Sequence, residues 1–340
     1  MRPMPPRSAA YAVVQEVVKQ FPNAPALTLA KKLFREHPAL WPTLELCRSA
    51  VRRALGVNGD HNRRKTVDKT QFRPARQAGD WGHVIPPALV ELPDWKAEVF
   101  PGPFRCLVLS DIHIPYHDPG PLEAALEYGQ QNKATMILLN GDICDFFALS
   151  RFEKDPRQRD FAGEVKATRH FLAGLRKEFP KAQIVYRWGN HEERYDKYLW
   201  LKAPEFLDLE DFDWSNVFSL NKHKITLVRD KRVIELGKLN VIHGHEFSFQ
   251  ISSPVNPARG FFLRAKTHVL GSHFHRTSQH SERSLEQQVL SAWSTACLCN
   301  LHPAWRPINE WNSGLAFVTV DKDGSFEVDN LRIIKNRVFR

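Results

Sequence analysis

The residues of this 340-residue chain that could carry out chemistry form five short groups, each placed directly after an apolar run. The groups are Asp111-Ile112-His113, Gly141-Asp142-Ile143-Cys144-Asp145, Gly189-Asn190-His191-Glu192, His243-Gly244-His245 and Gly271-Ser272-His273-Phe274-His275. Mixed carboxylate, imidazole and amide side chains suit Mn, Fe, Zn or Ni ions better than Ca or Mg ions. Glycine beside such residues lets the backbone turn tightly and approach a ligand.

Each group on its own also has a purely structural explanation. Asp142 could cap a turn, Asn190 could occupy a left-handed turn and His243 could be a hydrogen-bonded core histidine. Asp111 and His113 alone fit a turn cap and a surface histidine as well as a pair of metal ligands. Five such groups in order are poorly explained by chance, which favours a metal site.

The apolar runs before these groups predict buried strands, and helical patterns lie between them. Strands are predicted over 104–110, 135–140, 183–187, 224–228, 232–235, 239–243 and 267–270, and helices over 119–132, 160–179, 191–201 and 259–266. Residues 276–338 are strand-rich. This order predicts an α/β fold, a sandwich of two mixed sheets flanked by helices, with the five groups at the rim of a sheet.

The net charge of +10 is concentrated in the first quarter of the chain. Residues 1–80 hold 15 Lys and Arg against 6 Asp and Glu, whereas the remaining residues hold 33 against 32. Such asymmetry favours an anionic partner for the N-terminal part, with nucleic acid as the leading choice. A basic surface that serves solubility is the alternative.

Residues 1–56 are predicted to form three short helices that resemble a helix-turn-helix module. The helices cover 8–21, 26–34 and a segment between an N-cap at Thr43 and a stop at Gly56. In the third helix Leu46 is expected to face inward. Its basic residues are placed to contact phosphates or a groove: Arg48, Arg52 and Arg53. Any small three-helix bundle would show the same pattern.

Residues 57–103 are predicted to be a linker, basic at first and then proline-containing. Its basic run, Arg63-Arg64-Lys65, could lie along a phosphate backbone. No apolar run reaches the ~18 residues of a membrane span, and the N-terminus lacks the apolar core of a signal peptide. The five scattered cysteines favour a reducing compartment, so we expect a cytoplasmic protein without a membrane partner. Cys297 and Cys299 lack a second cysteine pair and are predicted to be core strand residues.

The five groups together resemble the motifs of the calcineurin-like metallophosphoesterase superfamily, over about residues 104–276. The resemblance implies a four-layer α/β/β/α sandwich over 104–340, preceded by the small helical domain. One position departs from the pattern: Ser272 stands where the family usually has glycine, from which we expect a slightly altered turn and no lost ligand. The Ser110-Asp111 start of the first group and Pro115 after it are most similar to phage and prophage members, which suggests a phage protein in a bacterial host.

The resemblance further implies a site for two divalent metal ions, with manganese as the first choice. The first ion would be held by Asp111, His113 and His275, the second by Asn190, His243 and His273, and Asp142 would bridge both. A hydroxide shared by the ions would be the nucleophile. His191 would be the general acid for the leaving oxygen.

The resulting functional hypothesis is a metal-dependent phosphodiester hydrolase that acts as a nuclease on DNA. A small-molecule or cyclic-nucleotide phosphodiesterase or phosphatase is one alternative, and a DNA-binding adaptor with a non-catalytic phosphoesterase scaffold is another. Arg194, Arg276 and His245 are predicted to contact substrate. The favoured alternative is pairing with a nearby acid for the two arginines, and a surface position or support of a metal ligand for His245. Four aromatic residues could stack bases, with core packing as the alternative favoured for most of them: Trp293, Trp305, Trp311 and Phe317.

Overall fold

The computed structural model describes residues 7–56, 84–87, 95–151, 155, 157, 159–247 and 255–340. The chain divides into two compact units, Met1–Leu92 and Pro93–Arg340. Each unit has its own apolar core.

The first unit contains three helices, α1 (Arg7–Gln20), α2 (Ala26–Glu36) and α3 (Leu44–Leu55). The predicted cap is present, since Thr43 Oγ1 accepts a hydrogen bond from the backbone N–H of Leu46 at 3.3 Å. The side chain of Leu46 is 46% exposed, so the inward orientation expected for it was wrong. Cys47, Val51 and Ala54 supply the buried face of α3 instead. Residues Arg63, Arg64 and Lys65 lie outside the described part of the chain.

The second unit is built on a seven-stranded mixed sheet with the strand order β13-β12-β11-β2-β3-β4-β5. Its strands are β2 (Phe104–Leu109), β3 (Met136–Asn140), β4 (Gln183–Arg187), β5 (Ile225–Val228), β11 (Ser313–Val320), β12 (Phe326–Ile334) and β13 (Arg337–Phe339). β2 to β5 are parallel, so their carboxyl ends share one edge.

A six-stranded sheet with the order β1-β6-β7-β8-β10-β9 forms the second layer of strands. Its strands are β1 (Glu98–Phe100), β6 (Ile234–Leu236), β7 (Leu239–Val241), β8 (Val269–Gly271), β9 (Ser278–Arg283) and β10 (Val289–Ser294). β1 falls inside the predicted linker 57–103 and pairs with β6. A three-residue strand between prolines has too little periodicity to be recognised in the sequence.

Helices cover the outer faces of the two sheets and complete the predicted four layers. They are α4 (Pro119–Gln131), α5 (Phe161–Glu178), α6 (Glu193–Lys202), α7 (Trp214–Val217) and α8 (Pro257–Ala265). Alternate residues of the central strands face opposite sides: Leu107 packs in the helix-covered core, and Val108 packs between the sheets. α8 packs on the other face of the six-stranded sheet through Phe261 and Phe262. Within the described ranges, no helix is long and apolar enough to cross a membrane.

Candidate metal centre

The seven predicted metal ligands follow the carboxyl ends of β2, β3, β4, β7 and β8. The first three strands belong to the seven-stranded sheet and the last two to the six-stranded sheet. The site therefore lies across the ends of both sheets, and the expectation of one sheet rim was too simple. Two contacts join the sheets here: Asn140 Nδ2 donates to the carbonyl of Ile242 at 2.9 Å, and His243 Nδ1 lies 2.8 Å from the carbonyl oxygen of Asn140.

A first set of predicted ligands surrounds His275. Its Nε2 lies 3.1 Å from Asp111 Oδ1 and 3.3 Å from His113 Nε2. His113 Nε2 is also 3.9 Å from Asp142 Oδ2. All four side chains are buried. Donor atoms of these types that converge on one point form a metal site of mixed nitrogen and oxygen ligands.

A second set shares Asp142 with the first. Asp142 Oδ2 lies 3.2 Å from His243 Nε2, and the ligand atoms of Asp142, His243 and His273 lie within 4.8 Å of one another. The ligand atoms of His113, Asp142 and His191 also lie within 4.8 Å of one another. One carboxylate thus faces histidines on both sides, which is the position that a bridging ligand requires.

The buried polar atoms of the site test whether these residues suit a metal. Two predicted ligands hold a buried atom that makes no hydrogen bond, Asn190 Oδ1 and His273 Nδ1, and two more, Asp111 Oδ1 and His243 Nε2, face other predicted ligands, His275 and Asp142. Such atoms are costly to bury without a partner, and nearly all buried polar groups have one. Each of the four is a good ligand for a divalent transition metal. The donor set therefore fits two ions.

Three of the histidines are also held from behind through their second ring nitrogen. Nδ1 of His113 lies 3.0 Å from Asp145 Oδ2, and Nδ1 of His275 lies 3.8 Å from Cys299 Sγ. Nδ1 of His243 is held by the Asn140 carbonyl described above. Such outer contacts fix the ring orientation and leave Nε2 for the metal. Cys297 and Cys299 are both buried, as predicted, but both lie outside the strands, in isolated bridges to Ser313 and His117.

The sequence of the second unit identifies its family. The sequence model of the calcineurin-like phosphoesterases matches residues 104–296, more than half of the chain. The chain belongs to the calcineurin-like phosphoesterase family. It is therefore a phosphoester hydrolase, as the resemblance of its motifs implied.

Similar proteins include two from phages and several of known structure. The Gene 54 protein of Mycobacterium phage L5 is 26% identical over 230 residues, which cover 64% of this chain and 89% of the relative, and the Gene 54 protein of Mycobacterium phage D29 matches to the same extent. Among solved structures, a single mutant of Vps29 from Entamoeba histolytica is 9% identical, with a TM-score of 0.36, over 69% of this chain and 96% of that protein. The phosphoesterase Yfce from E. coli is 16% identical, with a TM-score of 0.31, over 66% and 98%.

The backbone of this phosphoesterase is left-handed at five of the seven predicted ligands. The residues are Asp111, His113, Asp142, His273 and His275, with φ between 51° and 72°. Non-glycine residues adopt this region rarely, and the strain is tolerated where surrounding contacts fix the conformation. Gly189 illustrates the lack of space, because a Cβ there would lie 2.2 Å from Asp142 Oδ1.

Glu192 holds the backbone of these loops in place through hydrogen bonds. Its buried carboxylate accepts five hydrogen bonds: Oε2 from the N–H groups of Asp142 (2.9 Å) and Gly189 (2.8 Å), and Oε1 from those of Ile143 (2.7 Å) and Cys144 (3.2 Å) and from the hydroxyl of Tyr186 (3.0 Å). The loops after β3 and β4 are thereby held to one side chain. Its hydrogen-bond partners lie up to 50 positions away, so no local sequence pattern reveals them.

Ser272, the departure from the family pattern, has a bonding role of its own. Its buried hydroxyl lies within hydrogen-bond distance of the carbonyls of Asn140 (3.2 Å) and His243 (3.0 Å) and of the Asn140 amide (3.0 Å). Glycine offers no such bonds. The serine ties the β8 turn to the ends of β3 and β7, and His273 and His275 remain within the cluster.

The ionisable side chains of the centre shift one another's pKa values. Burial alone would raise the pKa of Asp142, but His243 and His191 outweigh it and hold that pKa well below its usual range. Burial lowers the pKa of His275, yet Asp111 outweighs it and raises the value to about 10. Burial, with the charge of His243, lowers the pKa of His273 to about 3. The carboxylates thus stay ionised where divalent ions would bind.

His191 lies in the site, and both of its ring nitrogens have a hydrogen-bond partner. Its Nδ1 is 2.8 Å from the carbonyl of Asp145, and its Nε2 is 2.9 Å from the guanidinium of Arg194. Arginine is only a donor, so Nε2 is the acceptor in this arrangement and Nδ1 carries the proton. Arg194, predicted to contact substrate, thus lies beside the predicted acid.

All three predicted substrate residues have acidic partners, and Arg194 Nη1 lies 3.7 Å from Asp145 Oδ1. Arg276 donates to Glu310 at 2.6 Å, and the Arg276 side chain is 14% exposed. His245 Nε2 lies 2.9 Å from Glu193 Oε1. Burial raises the pKa of Glu193, but His245 and Lys197 outweigh it and bring the value to about 2. For Arg194 and Arg276 these pairings are the alternative that the sequence had left open.

Proposed function

We propose that this phosphoesterase is a dinuclear metal-dependent phosphodiester hydrolase that acts as a nuclease on DNA. The observation that carries the dinuclear proposal is the position of Asp142, whose Oδ2 faces His243 at 3.2 Å and His113 at 3.9 Å. Buried ligand atoms that have no hydrogen bond or that face another ligand belong to residues of both ligand sets, and this supports two ions in place of one.

In this proposal Asp111, His113 and His275 hold the first ion, Asn190, His243 and His273 hold the second, and Asp142 binds both. Manganese is the first choice, and iron, zinc and nickel suit the same donors. When bound, such ions make water a nucleophile near neutral pH and offset the charge that grows on a phosphoryl group.

His191 and Arg194 are proposed to exchange partners when substrate binds. A phosphate that takes the guanidinium donors of Arg194 releases His191 Nε2 from its contact with that residue. Burial lowers the pKa of His191, but Asp142 and Asp145 outweigh it and raise the pKa above the ordinary value. A proton held on the released Nε2 is then available for the leaving oxygen.

DNA as the substrate is supported by the basic first unit. Arg52 and Arg53 are exposed in the last turn of α3, whereas Arg48 lies 3.5 Å from Glu45. We assign the exposed pair to phosphate contacts that bring the polymer to the protein. A phage protein that acts in the cytoplasm of a bacterial host agrees with the two phage relatives.

Hydrolysis of methyl p-nitrophenyl phosphate with Mn²⁺ tests the diesterase proposal, and it fails if no divalent metal supports release of p-nitrophenol. Activity on phosphomonoesters or cyclic nucleotides without activity on DNA would favour the small-molecule alternative. Metal binding without any hydrolysis would favour the adaptor.

DNA binding is tested separately with the double variant Arg52→Gln, Arg53→Gln. Loss of two phosphate contacts should reduce the slope of log affinity against log salt by about 1.8. The double variant Lys19→Gln, Lys31→Gln makes the same change in charge on α1 and α2 and should leave the slope unchanged. Equal slopes for both variants would exclude the α3 arginines as the phosphate contacts.

A further inference from the structure

A pair of tryptophans, the exposed Trp305 and the half-buried Trp311, adjoins the metal centre. Trp311 lies against the metal-ligand candidate His275, with ring centroids 4.1 Å apart and an angle of 60° between the planes. Trp305 follows at a centroid distance of 5.6 Å and an angle of 66°, and it is 72% exposed. The two indoles thus form an aromatic path from the buried histidine to solvent, which we call the tryptophan platform.

The loop that carries this platform is held by internal hydrogen bonds. The side-chain Nδ2 of Asn309 donates to the carbonyls of Leu301 at 2.6 Å and Arg306 at 2.9 Å, and the side-chain Oδ1 of Asn309 accepts from the N–H of Trp311 at 2.8 Å. The N–H of Asn312 donates to the carbonyl of His275 at 3.0 Å. An aromatic surface fixed in this way loses little conformational freedom on binding, which favours a role in recognition.

The charges around the platform favour an uncharged flat ring as its occupant. Arg276 follows the ligand candidate His275 and is paired with Glu310, so its charge is already offset. Arg306 is the basic residue beside Trp305. A phosphoryl group is provided for at the metal centre, and a nucleobase attached to it is the part of a nucleic acid that stacks on indole.

Tyr116 supports this assignment from the other side of the loop. It comes three residues after the ligand candidate His113, and its carbonyl accepts from the N–H of Asn300 at 2.9 Å. The Tyr116 ring is partly exposed and lies 6.1 Å from that of Phe147. Aromatic rings therefore extend from the loop after β2, which carries His113, and from the loop between β10 and β11, whose Trp311 contacts His275.

We propose that the tryptophan platform binds an unpaired nucleobase next to the scissile phosphate, so that the preferred substrate is single-stranded. This inference rests on the proposed nuclease function and names its substrate class. A base inside a duplex presents no free face, whereas an unpaired base stacks on an indole without regard to sequence.

The experiment compares two diesters with the same leaving group, using the full chain with Mn²⁺. One is the p-nitrophenyl ester of thymidine 5′-phosphate, which carries a base, and the other is methyl p-nitrophenyl phosphate, which carries none. Trp305→Ala should raise KM for the thymidine ester about 5- to 150-fold, the range that follows from the ~1–3 kcal/mol of one base stack. Its kcat/KM for the methyl ester should stay within about twofold of the wild type.

Fluorescence anisotropy gives a readout that is independent of turnover. Labelled oligothymidine should bind the Trp305→Ala variant more weakly by a similar factor, and an abasic strand of equal length should not. Trp305→Phe should retain part of the affinity. Trp200→Ala, which removes another exposed tryptophan on α6, is the matched control and should leave all values unchanged.

Separate results overturn the two proposals. If the wild type cleaves neither diester, the proposed function fails. If it cleaves both and Trp305→Ala affects them equally, the platform proposal alone is wrong. Trp305→Ala could instead turn a dimer into a monomer without changing the affinity for oligothymidine. That result would assign the tryptophan platform to contact with a second copy of the chain and would also overturn the platform proposal.

Discussion

Replacing Glu192 with Gln would test how the loops of the metal centre are held. The carboxylate is fully buried and accepts two hydrogen bonds at Oε2 and three at Oε1. A glutamine keeps the shape but must direct its NH₂ group at one of these two sets of donors. The less costly orientation places it against the N–H groups of Asp142 and Gly189.

The expected loss follows from those two donors. Each buried N–H left without an acceptor costs about 1–3 kcal/mol, or about 2–6 kcal/mol for the pair. The three remaining bonds also become weaker because the acceptor is no longer charged. Since a domain is typically stable by only about 5–15 kcal/mol, Glu192→Gln should lower Tm by an amount on the order of 10 °C.

The assay is urea and thermal unfolding in EDTA, so that metal binding does not contribute to stability. Tyr186→Phe removes one of the five donors and should cost only about 1 kcal/mol. Glu123→Gln, on the exposed face of α4, is the matched control and should stay within about 0.5 kcal/mol of the wild type. If Glu192→Gln were as stable as this control, the carboxylate would not be what joins the two loops.

Three further changes have defined outcomes. Gly189→Ala should displace Asp142 and weaken Mn²⁺ binding at least tenfold in a titration, since the added Cβ would lie 2.2 Å from Asp142 Oδ1. The control, Gly174→Ala, has free space in α5 and should stabilise the fold by up to ~1 kcal/mol. Equal effects of the two variants on Mn²⁺ binding would contradict the steric argument. His191→Ala should lower kcat for a diester about 100-fold with metal content unchanged, and unaltered kcat would exclude it as the acid. Burial, with the charge of Asp145, raises the pKa of Glu164 in the folded protein to about 8. The folded state therefore holds this proton more tightly than the unfolded chain. Its contribution to the free energy of unfolding is fully present below pH ~4.5 and is lost as the pH rises towards 8. Glu164→Gln should remove this loss in urea unfolding at pH 5 and pH 8, and parallel pH slopes for variant and wild type would disprove the linkage.

The sequence predicted the elements that have strong local patterns. β4 was predicted at its observed bounds, 183–187, and β2, β3 and α5 to within one residue at each end, because three or more consecutive apolar residues or a clear cap mark them. β1 and the four-residue α7 were missed, since three or four residues are too few to show a period. Leu46 was misassigned because its side chain lies at the edge of the apolar face of α3.

The residues that could supply metal ligands were also visible in the sequence, but the groups that hold them were not. Glu192, Ser272, Asn140 and Cys299 act through partners between 3 and 132 positions away, and nothing in their local sequence marks those contacts. The contact of Arg194 with His191 is the exception, because residues three apart share a face at the start of a helix. The division of the ligands between two sheets depends on packing that no local pattern records.

Metal stoichiometry tests the central claim of a dinuclear centre most directly. Equilibrium dialysis against Mn²⁺, with metal counted by mass spectrometry, should give about two ions per wild-type chain and about one in both His275→Ala and His243→Ala. His170→Ala, on the exposed face of α5, is the control and should retain about two. A single ion in the wild type, or two ions in both ligand variants, would contradict a centre in which Asp142 joins two metal sites.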